Sequence, residues 1–130
     1  MDRKSAKTLE AAQRLIDQRF FTQSVHCSYY AVLQLMRYKL ANSQANPMTY
    51  EQQDAQMSGR SSHEALLIEI KSRIANPKNK MRFGQDFEDL KDKRVEADYS
   101  QRTFSDIDSL DCKQQADGLI SKLNNYIQTK

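Results

Sequence analysis

Apolar residues recur along most of this chain at helical spacing, and nowhere do they alternate for long enough to mark a strand. Leu9, Ala12, Leu15 and Ile16 predict a first helix from about Ser5, read as its N-cap, to Phe20. A short link leads into a second helix, about Ser24 to Ala41, joined to the first as an antiparallel hairpin. Its apolar residues do not stay on one face. Val25, Tyr29, Val32, Leu33, Met36 and Leu40 form one stripe, and Tyr30, Ala31, Leu35 and Tyr38 cover much of the remaining circumference. A helix apolar on most sides must be surrounded by other helices or by a second subunit, so this segment is expected to be the hub, with Tyr29, Tyr30, Leu33 and Met36 in the core or at a dimer contact.

Residues 42–60 are rich in Asn, Gln and Ser and read as a long loop, with a short helical turn at about Tyr50 to Met57. Ser61 and Glu64 have the spacing of a capping box for a third helix, which ends before Asn76-Pro77. The basic stretch Lys78 to Arg82 reads as a link to a fourth helix, about Gly84 to Arg102, whose apolar side holds Phe83, Phe87, Leu90, Arg94 and Ala97. Ser105 is the expected cap of a last helix running to about Gln128, with Ile107, Leu110, Leu119, Ile120, Leu123 and Ile127 on its stripe. The pattern predicts an all-α, up-and-down bundle of four or five helices forming one domain over residues 1–130.

Composition agrees. Hydrophobic residues are 38% and charged residues 28%, and 3 Gly with 2 Pro offer too few turn signals for a many-stranded fold. The net charge of +3 is compatible with RNA without arguing for it, since acids are dispersed among the bases. The polar start carries no secretion signal, no run is long enough to span a membrane, and Cys27 and Cys112 read as reduced core thiols, so a cytoplasmic location is expected. Neither a cysteine/histidine cluster with zinc-ligand spacing nor a glycine-rich phosphate loop is present, and neither metal nor cofactor is expected.

Arg94 interrupts an apolar stripe, and Asp98 follows one turn later. The pair reads either as a half-buried ion pair that orients the helix or as an arginine held at a groove for phosphate. Tyr99 lies about 140° around the helix from Arg94, so the two would flank a cleft. His63, at the start of the third helix, reads as a capping or surface residue, and His26 as a buried, hydrogen-bonded one.

Phe20 to Tyr38, with its Tyr29-Tyr30-Ala31 core, Ser62-His63 and Arg94-x-x-Ala97-Asp98-Tyr99 occur in an order and spacing that resemble the HEPN superfamily, specifically its small stand-alone prokaryotic members, over roughly Leu9 to Ile127. The resemblance implies an HEPN-like homodimeric bundle associated with RNA, and often with toxin–antitoxin or other defence systems that include a nucleotidyltransferase-type antitoxin. It also implies a metal-independent ribonuclease site built on an R-x4-6-H motif. Here the matching position reads Arg94-x4-Tyr99, and a tyrosine that titrates near pH 10 is a poor base. The one literal R-x6-H, Arg19 to His26, lies at the junction of the first two helices instead. Three expectations follow: binding of RNA or a partner protein through Arg94, Asp98, Lys78, Lys80 and Arg82 with a lapsed catalytic motif; a ribonuclease in which His63 joins Arg94, with Tyr99 in the motif's last position; or a dimeric structural adaptor.

Overall fold

The computed structural model describes residues 2–57 and 62–130, and these form six α-helices and no strand. They are α1 (Arg3–Asp17), α2 (Phe21–Asn42), α3 (Tyr50–Gln56), α4 (Ser62–Ser72), α5 (Pro77–Tyr99) and α6 (Asp106–Tyr126). The expected all-α bundle is what the chain adopts. No helix among the described residues is long and apolar enough to cross a membrane.

The first helix begins earlier than its pattern suggests. Asp2, not Ser5, is the N-cap: its carboxylate accepts from the Lys4 and Ser5 amides at 3.2 and 3.3 Å. Ser5 is buried one turn in, its hydroxyl donating to the Ala31 carbonyl at 2.6 Å. The helix closes in a Schellman motif, with Phe20 N–H on Leu15 C=O at 2.7 Å and Arg19 N–H on Ile16 C=O at 3.0 Å. That motif requires a left-handed residue, and here it is Arg19, at φ 68°.

The second helix is the hub. Eleven of its 22 residues are buried, and it packs on every other helix. Tyr29 and Met36 are wholly buried and Leu33 nearly so, covered by this chain's own helices. Phe83, Phe87 and Leu90 from α5, Ile70 from α4 and Leu119 and Leu123 from α6 complete the core around them.

Two expectations about the later helices are corrected. Residues 78–82 are not a link: Asn76 caps α5 through its side-chain oxygen, with Pro77 in the first turn, so the basic stretch forms the opening turns of that helix. On α6 the Ser105 cap holds, reciprocated by Asp108 as a capping box. Ile107 and Leu110, however, are 67% and 41% exposed, and the buried stripe of the first half is Ser109, Cys112 and Ala116. Ser61 lies outside the described residues, so its box with Glu64 is not described.

The stretch after α2 is more ordered than its composition suggests. Thr49 and Gln52 form a capping box for α3, and Gln53 is 1% exposed. Its amide donates to the carbonyls of Met48 and Arg37 at 2.8 and 3.0 Å, while its oxygen accepts from Arg37 Nε at 3.1 Å. The C-terminal residues pair with the end of α2, through Gln44 N–H on Gln128 C=O and Lys130 N–H on Asn42 C=O. Both cysteines are free, and burial pushes the Cys112 thiol up to about 11.

Candidate functional site

Three positions on α2, His26, Tyr29 and Tyr30, stand at i, i+3 and i+4 and so share one face. The imidazole of His26 stacks on the Tyr30 ring at 4.5 Å between centroids, and Tyr29 meets Tyr30 edge-on at 5.3 Å. Helix α5 lays Arg94 against this face. Its guanidinium carbon sits 4.9 Å from the centre of the Tyr29 ring and 5.6 Å from that of Tyr30, within range of cation–π attraction to both. The arginine is only 8% exposed, and its Nε is buried without a hydrogen-bond partner.

Asp98 joins the arginine to a histidine. One carboxylate oxygen accepts from Arg94 Nη1 at 3.4 Å and from His26 Nδ1 at 2.9 Å, and the other is 3.1 Å from the same ring nitrogen. An ionised carboxylate only accepts, so Nδ1 carries the proton in this contact and the neutral ring keeps its acceptor lone pair on Nε2. His26 Nε2 makes no hydrogen bond among the described residues, and the side chain is 49% exposed. His26 is therefore a surface group oriented by a carboxylate, not the buried histidine expected.

The second histidine enters from α4. His63 Nδ1 lies 2.7 Å from the Tyr29 hydroxyl, and its ring is edge-on to Tyr30 at 6.0 Å. Burial, with Arg94 and Lys91 nearby, holds the His63 imidazole below its ordinary range and so in the neutral form. Burial likewise raises Tyr29, which stays a neutral phenol. His63 is thus not a plain surface residue: it is tied to the hub helix, and it also lines a cavity of about 320 Å³ with Leu33, Arg37, Gln53 and Asp54.

Arg94 and Asp98 meet at 3.4 Å, His63 reaches the same pair of rings through the Tyr29 hydroxyl, and His26 joins the arginine through Asp98. Tyr99 does not. It is 78% exposed and takes no part in these hydrogen bonds and ring contacts. Lys78, Lys80 and Arg82 lie on the opening turns of α5, and at 1.5 Å per residue Arg82 is about 18 Å along the axis from Arg94. Tyr29, Leu33 and Met36 belong to the core, whereas Tyr30 is half-buried and faces the cluster. No group of three or more His, Cys, Asp or Glu among the described residues could hold a metal ion. The chain matches no family model, no curated protein and no solved structure.

Proposed function

We propose that the protein binds single-stranded RNA on the face built from α2, α4 and α5 and cleaves it there without a metal cofactor. One observation carries this reading: both histidines of the chain and Arg94 converge on the paired rings of Tyr29 and Tyr30. A cation, an exposed imidazole and the half-buried face of Tyr30 in one place are the groups that phosphate, proton transfer and base stacking call for. The HEPN-like character of the chain, its pairing as a homodimer and a nucleotidyltransferase-type antitoxin as partner rest on the sequence resemblance alone.

A second reading, binding without cleavage, is favoured by the burial of Arg94 and the commitment of its Nη1 to Asp98. The two are separated by incubating the purified protein with a labelled single-stranded RNA in EDTA, alongside a binding titration at rising salt. Cleavage by the wild type, lost in Arg94→Met, supports the first reading. Salt-sensitive binding with no cleavage supports the second, because phosphate contacts weaken as salt rises. Absence of both leaves the adaptor.

A further inference from the structure

We infer that His26, oriented by Asp98, is the group that moves the proton at this site, and that His63 is not. The inference rests on the functional reading above and assigns its chemistry to one residue. Each histidine has its Nδ1 engaged, but by different partners. The Nδ1 of His26 is held by a carboxylate at 2.9 and 3.1 Å, which fixes the tautomer and stabilises the imidazolium formed when Nε2 takes a proton. That of His63 is held by a neutral phenol at 2.7 Å, with Arg94 and Lys91 nearby, an environment that opposes any added proton. His26 is also the more open of the two, being exposed where His63 is only partly so. Asp98 alone would repel a phosphate. Arg94 bonds the same carboxylate, so the pair is close to neutral and an anionic strand can approach His26.

The step this permits is a transesterification. His26 Nε2 accepts the proton of a ribose 2′-hydroxyl as that oxygen attacks the adjacent phosphorus. The P–O2′ bond forms, the P–O5′ bond breaks, and the imidazolium returns its proton to the departing 5′-oxygen. The products are a 2′,3′-cyclic phosphate and a 5′-hydroxyl, with no net change in protons or electrons.

The test compares wild type, His26→Ala, His63→Gln and Asp98→Asn on the same labelled RNA in EDTA, with thermal melts to show that each is folded. His26→Ala is expected to slow cleavage by about 100-fold or more, the usual size of a lost acid–base group, with RNA affinity changed by no more than about threefold. His63→Gln, which also breaks the contact to Tyr29, should slow cleavage at least about tenfold less than His26→Ala does. Asp98→Asn should lower kcat without raising KM, because it removes the carboxylate that orients the His26 ring through Nδ1. Unchanged cleavage by His26→Ala, or a loss in His63→Gln as large as that in His26→Ala, overturns the assignment while leaving the functional reading in place. A wild type that does not cleave overturns both.

Discussion

Replacing Arg94 by Met distinguishes an arginine kept for the fold from one kept for a ligand. The methionine preserves the aliphatic stem that packs against the rings and removes only the charged head. Four contributions are lost or gained. The cation–π contacts, at 4.9 and 5.6 Å, are worth about 0.5–2 kcal/mol, with the farther ring near the limit of the interaction. The bond to Asp98 is long at 3.4 Å and its carboxylate 21% exposed, so it adds about 0–1 kcal/mol. Against these, the substitution removes a buried Nε with no partner, relieving about 1–3 kcal/mol, and thioether–aromatic contacts return about 0.3–1.5 kcal/mol. Asp98 keeps His26 as a partner, so no buried charge is stranded. The terms nearly cancel, and Arg94→Met should lie within about 1.5 kcal/mol of wild type, whereas Leu90→Ala on the same helix face should cost about 2–5 kcal/mol. Urea denaturation of the two variants beside wild type measures both. RNA affinity, read by anisotropy in the same buffer, should fall by about tenfold or more in Arg94→Met. A stability loss above about 3 kcal/mol would refute the reasoning, because a term of that size belongs to a structural ion pair.

Three further outcomes follow from the fold. Arg19→Gly should raise stability by about 1 kcal/mol, since it removes a side chain from a left-handed position, and should leave RNA binding unchanged; a chemical melt and the anisotropy titration check the two parts. His63 contributes a pH dependence of definite sign: its folded pKa is depressed, so the unfolded chain binds the proton first as pH falls through the ordinary histidine value. Stability attributable to it is therefore full at neutral pH and declines on acidification until the lower folded pKa is passed, so His63→Gln should lose less stability than wild type between about pH 7.5 and 5.5 in parallel urea melts. Gln53→Leu leaves the Arg37 Nε and the Met48 carbonyl without their partner, and should cost about 1–3 kcal/mol and speed proteolysis between residues 43 and 57.

The helices were legible because burial on one face recurs every three or four residues, and the Ser105 cap because its signal is local. The start of α5 was misread for a reason that is also local: Asn76-Pro77 disfavours helix on its N-terminal side and begins one on its C-terminal side, and only the second effect decides where Lys78 to Arg82 belong. On α6 the bulky residues Ile107 and Leu110 face solvent while Ser109, Cys112 and Ala116 are buried, so residue size misleads where small side chains occupy the packed face. The site follows a different rule. Arg94 stood out as a charge in an apolar stripe, but what it does depends on rings supplied by α2, and nothing near residue 94 specifies them. His26 carries one local sign, its i, i+4 spacing to Tyr30; the carboxylate that orients it lies 72 residues away and meets it only when α5 packs on the hub. The hub helix therefore serves two ends at once. Tyr29 and Met36 are wholly buried in the core, while His26 and Tyr30 on the same helix remain at the surface to meet α5, so the residue pattern that makes α2 central to the fold also gives Arg94 and Asp98 something to organise.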